Sequence, residues 1–176
     1  MSVKPIVQVA KSSQFGTVGR YLASTAILVD EKTLEEARSV SVDLLDTMEA
    51  QPLCVGLAAN QIDSPLSVAV VSRSGTQEEP LILFNPIVLS RSGKKDKKRE
   101  SCMSVWGFAG EVERRSNIVI AFVDDQLQPT ELALSGFVAR VAEHEIDHLQ
   151  GVTFVDHVAG ALTPTDLFDG FSPGVP

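Results

Sequence analysis

The segment from Gly136 to Gln150 repeats apolar side chains at helical spacing, and it restricts the folds open to this chain more than any other stretch. Phe137, Val141, His144 and His148 form one stripe by steps of four, three and four; Val138, Ala142, Glu145 and Leu149 form the stripe beside it. Both stripes are apolar apart from the two histidines and the glutamate. Arg140, Glu143, Asp147 and Gln150 fall on the other side, expected to face solvent. Such a helix turns two imidazoles and a carboxylate inward, where unpaired polar groups are costly, so the fold must supply partners for them. Gly151 is placed to end the helix.

Two readings of these groups stand side by side. Core histidines satisfied by hydrogen bonds are the plain one. The other is chemical: His-Glu-x-x-His on a helix puts two ring nitrogens on one side, close enough to share a cation, with Glu145 beside them. A metal needs a third ligand. Downstream, Gly151 fits the extended pattern HExxHxxGxxH, but Phe154 occupies its last position, and no glutamate follows Glu145. His157 lies at no known spacing and reads as surface or core. Upstream stand the only cysteines, Cys54 and Cys102. Cys102, between a charged turn and an aromatic segment, is the better candidate, and one thiolate with two imidazoles leaves a fourth position open. Cys54, flanked by Leu53 and Val55, reads as a small core hydrophobe.

The rest of the chain supplies a frame. Thr33 to Ala50 reads as an amphipathic helix capped by Thr33, with Leu34, Ala37, Val40, Leu44, Leu45 and Met48 on its apolar face. The runs SVAVVS, LILFNPIVL and NIVIAFVDD are strand-like. The order implies α+β: a mostly antiparallel sheet packed around the central HExxH-bearing helix. With 176 residues, 44% of them hydrophobic, one domain spanning 1–176 is expected, with 158–176 a loosely packed tail. A net charge of -8 argues against a direct nucleic-acid footprint. The basic run Gly93 to Glu100 reads as a solvated hairpin tip. No apolar run suits a signal peptide or a membrane span, which implies a cytoplasmic protein with no membrane contact.

Three segments together resemble the peptide deformylase family: Gly56-Leu57-Ala58-Ala59-Asn60-Gln61, then Glu100-Ser101-Cys102-Met103-Ser104, then His144-Glu145-Ile146-Asp147-His148. The likeness extends over most of Ile6 to His157. It implies that Cys102, His144 and His148 bind one divalent ion, Fe(II) by preference with Zn, Ni or Co as replacements, and that Glu145 is the general acid/base. It further implies that Gln61 and the Met103 amide stabilise the oxyanion, that Gly56 offers its backbone to substrate, and that Glu100 and Arg114 pair to hold the cysteine loop. The activity implied is removal of the formyl group from N-formyl-methionyl peptides, with transient ribosome association. Phe137 and Val141 read equally as a methionine pocket or as plain core. Asn60 and Trp106 stand where the family usually has proline, and Ser101 where it has glycine; Trp106 is expected to reshape the cleft wall. The alternatives are a homologue that binds metal or peptide without turnover, and an HExxH metallopeptidase.

Overall fold

The alternation of side chains along the central strands decides the layering. In the computed structural model, which describes residues 2–9, 17–51, 53–74 and 80–167, β2 (Val68–Ser72) is buried along its whole length. Val68 and Val70 pack with α1 (Leu34–Glu49), and Val71 packs with α2 (Gly136–Leu149), so the two helices cover opposite faces of one sheet. β3 (Pro80–Ser101) repeats the pattern: Ile82 and Phe84 face α1, whereas Leu81 and Leu83 face α2. The sheet runs in the order β1 (Gly56–Ala58), β2, β3, β4 (Phe108–Val123), β5 (Pro129–Ser135); these neighbours pair antiparallel, and the two-residue β6 (Thr163–Pro164) pairs with β4. The α+β expectation therefore holds, with β5 added by the structure.

Both expected helices form, and each differs from its sequence reading in one respect. α1 buries Ala37, Val40, Leu44 and Met48, but Thr33 makes no side-chain cap. Asp30 instead braces the turn that leads into the helix: its Oδ1 accepts the amides of Lys32 and Thr33 at 2.9 and 3.0 Å, while the Thr33 hydroxyl accepts the Asp30 amide at 2.9 Å. In α2, Arg140, Glu143 and Asp147 are not on a solvent face. All three are buried, because the β3–β4 ribbon covers that side and brings its own charges. Gln150 alone of the four is exposed.

α2 ends as its glycine predicts. The Gly151 amide donates to the His148 carbonyl at 2.9 Å and the Val152 amide to the Asp147 carbonyl at 3.0 Å, with Gly151 at φ 75°. A side chain there would also lie 2.8 Å from the Ala23 backbone, so the same glycine admits the N-terminal segment against the helix end.

The basic run is not a hairpin tip. Lys95 to Glu100 lie inside β3, opposite Arg115 to Gly110 of β4, and the chain turns only at residues 102–107. One acidic partner across the ladder makes this pairing favourable: Lys95 Nζ is 2.6 Å from Glu113 Oε1. Of the expected tail, Val158 and Leu162 pack beside Phe154, at the start of the short helix α3 (Phe154–His157), and Thr163–Pro164 joins the sheet. Residues 168–176 lie outside the described residues. Among the described residues no helix is long and apolar enough to cross a membrane.

Candidate active site

Because the β3–β4 turn begins at Cys102, it delivers that thiol to the inner face of α2. One ligand atom from each of Cys102, His144 and His148 falls within 4.8 Å of the others. Cys102 Sγ lies 3.2 Å from His148 Nε2, and all three residues lie in or against the core. His144 Nδ1 is 3.2 Å from Glu100 Oε2, which orients the ring and leaves its other nitrogen for the cluster. His157, by contrast, sits apart on Asp147 Oδ2 at 3.1 Å, half-exposed.

The charge balance of the cluster suits a cation. Burial works against a charged His144, yet its hydrogen bonds to Cys102 and Glu100 outweigh it and hold the imidazole well above its ordinary pKa. His148 moves the other way, driven well down by burial and by its neighbour His144. Without a metal the pair therefore holds one positive charge, on His144, beside a neutral His148. A soft thiolate with two imidazoles is a donor set that first-row divalent ions accept, so these residues fit a metal. Cys54 is also nearby, but burial and the charge of Glu145 push its thiol pKa up, and its Sγ donates to the Gly56 carbonyl at 3.1 Å. It packs in the core beneath α1, as a small hydrophobe should.

Glu145 is the next residue on the same helix. It is buried, one of its oxygens has no partner among the described residues, and burial raises its pKa to about 7. Gly56 makes room for it: a Cβ at that position would lie 2.8 Å from Glu145 Oε1 and 2.7 Å from Val141 Cγ1. Gln61 is fixed at both ends, its Oε1 accepting the Ala58 amide at 2.8 Å and its Nε2 donating to Ser104 Oγ at 3.2 Å and towards Cys102 Sγ at 3.4 Å. Asn60 is buried beside it, and its Nδ2 donates to the His148 carbonyl, tying this turn to the ligand helix. Ser101 ends β3 in extended backbone opposite Ala109, so no glycine is required there. Trp106 is buried in the core cluster beneath α1 and does not reach the cleft wall, contrary to expectation.

These groups line one cleft of about 300 Å³. Cys102, Met103, Gln61, His144 and Glu145 lie along it, with Gly56 and Val141 in its wall; Phe137, half-exposed, also lines it. Of the residues given a catalytic, substrate-binding or metal role from the sequence, all line this cleft except His148, which is fully buried behind it.

Sequence reasoning missed the residues that hold the loop. Gln8, fully buried, donates from Nε2 to the Met103 carbonyl at 2.9 Å, and its Oε1 accepts the Trp106 amide at 3.3 Å. Its only signal was a lone polar residue inside the apolar run IVQV. The Glu100–Arg114 pair was expected, but not its reach. Arg114 contacts Glu100 at 2.7 Å and Asp147 at 2.8 Å, and Arg140 adds a contact to Glu100 at 2.6 Å. Burial opposes ionisation of Glu100, yet His144 and Arg114 lower its pKa to about 2.

The polypeptide deformylase family model matches residues 4–162. The chain belongs to the polypeptide deformylase family. A peptide deformylase of Aquifex aeolicus is 43% identical over 130 residues, covering 72% of this chain and 75% of the relative. Peptide deformylase 2 of Vibrio cholerae is 37% identical over 134 residues, covering 74% and 79%. Among solved structures, a Synechococcus elongatus peptide deformylase in complex with actinonin superposes with a TM-score of 0.78 at 28% identity, covering 91% of this chain and 81% of that one. Membership in the deformylase family makes the chain an amide hydrolase and removes the metallopeptidase alternative.

Proposed function

We propose that this deformylase removes the formyl group from the N-terminal formyl-methionine of new peptides, using Cys102, His144 and His148 to hold one divalent ion. The convergence of those three donors beside the buried Glu145 carries the reading. Fe(II) is the ion proposed for the cell, with Zn, Ni or Co able to replace it. Such an ion supplies Lewis-acid chemistry, polarising oxygen and lowering its pKa.

The chain's own residues do the remaining work. Glu145, held near neutrality by burial, takes a proton from the attacking water and passes it to the leaving amine. Gln61 Nε2, already anchored beside Cys102 Sγ, and the Met103 amide donate to the negative charge that grows on the formyl oxygen. Glu100 keeps His144 in orientation, and the buried Arg114 and Arg140 keep Glu100 ionised. Gly56, on β1 at the end of the sheet, lines the cleft along which an extended peptide lies, and Phe137 and Val141 flank the methionine side chain. A substrate drawn from new peptides fits a cytoplasmic protein in transient contact with the ribosome.

The test is anaerobic purification with iron or nickel followed by a formate-release assay on a formyl-methionyl peptide. Stoichiometric metal and steady formate release are expected. Glu145→Ala keeps the metal and loses turnover, whereas Cys102→Ala loses the metal. Absence of formate from fully loaded protein would refute the reading.

A further inference from the structure

The rim of the cleft differs from its floor. Leu53, Phe137 and Leu167 line it while being 42, 53 and 47% exposed, an apolar collar suited to a peptide chain leaving the site. One cation interrupts that collar. Arg99 lines the cleft from β3, and its Nη2 donates to the Pro164 carbonyl at 2.9 Å, which fixes the guanidinium beside β6 and Leu167. The other charged lining groups are committed elsewhere: Arg140 to Glu100 at 2.6 Å, and Glu145 to the floor. Glu111, across the ladder from Arg99, makes no ion pair with it, and neither Glu111 nor Asp166 lines the cleft.

We infer that Arg99 is a specificity-determining residue that favours substrates carrying a carboxylate shortly after the formyl-methionine. The distances agree. Arg99 stands three residues before Cys102 on an extended strand, and at roughly 3.3 Å per residue it is about 10 Å away, the reach of the second or third residue of a bound peptide. The chain as a whole carries a net charge of -8, which disfavours acidic ligands, so a preference for them has to come from a local cation. The pairing is at the surface, and exposed ion pairs are weak, so the effect amounts to about two- to fivefold in kcat/KM and fades with salt. The inference rests on the deformylase reading and adds the class of peptide preferred.

The experiment compares kcat/KM of metal-loaded protein for formyl-Met-Ala-Xaa-amide and formyl-Met-Xaa-Ala-amide, with Xaa as Glu, Gln or Lys. Formyl-Met-Ala is run as free acid and as amide, which separates an acidic side chain from a terminal carboxylate as the recognised group. Wild type is expected to prefer Glu over Lys by about two- to fivefold at low salt, with the ratio approaching one at about 0.5 M salt. Arg99→Gln should bring the ratio near one, and Arg99→Glu should invert it. Turnover of the Gln peptides with no Glu-over-Lys preference in wild type, or a preference that survives Arg99→Gln, overturns the inference while leaving the deformylase reading intact. If no peptide is turned over, both fall.

Discussion

Gly56 and Glu145 share one small volume, and each explains the other. A methyl group on Gly56 would fall 2.8 Å from the carboxylate, so Gly56→Ala must displace Glu145 or Val141. The expected result is normal metal content with turnover lowered on the order of a hundredfold, as small misplacements of a catalytic group cost; metal analysis beside a formate assay checks it. Glu145 also predicts a pH dependence. Its pKa in the metal-free fold is about 7 against an ordinary 4.5, so the protonated form is the favoured one when folded. Metal-free protein should therefore lose stability as pH rises from about 4.5 to about 7, and Glu145→Gln should remove that part of the slope in urea titrations at pH 5 and pH 8. Both residues were legible in the sequence through their motifs. The use of Asn60 was not: that its amide would reach the His148 carbonyl follows only from how the 59–62 turn docks on α2.

At the scale of elements, the outer side of α2 carries the instructive difference. Arg140, Glu143 and Asp147 have the spacing of a solvent face, and helical periodicity alone cannot distinguish water from a second charged surface laid over it. That surface is the β3–β4 ribbon, whose Arg114 reaches Glu100 and Asp147 with its own side chain almost fully buried. Removing one member of such a network leaves the others uncompensated. Arg114→Met should destabilise the fold by about 3–5 kcal/mol, measured as a shift in the urea midpoint at constant slope. It should also weaken metal binding, because Glu100 loses a fixed partner while bonded to His144. The basic run was misplaced for a related reason. Five cations among eight residues look like a solvated turn, and only the opposing strand, with Glu113 on Lys95, makes them a paired strand.

The whole molecule places a sheet between two helices and gathers its site where α2, the β3–β4 turn and the 56–61 segment meet. An ion that binds only this arrangement stabilises the fold by mass action. Thermal midpoints of metal-loaded protein should rise with free metal concentration, and Cys102→Ala should abolish the dependence. The site also has a history in time. Cys102 and His148 are 46 residues apart in the chain, with His148 the later; at about 5–20 residues per second of synthesis, that gap is roughly 2–9 seconds. During that interval the thiol exists without the imidazoles that gather around it in the fold. A metal held as proposed can therefore load only after His148 is made, and until then the thiol lacks the partners that would shield it from oxidants.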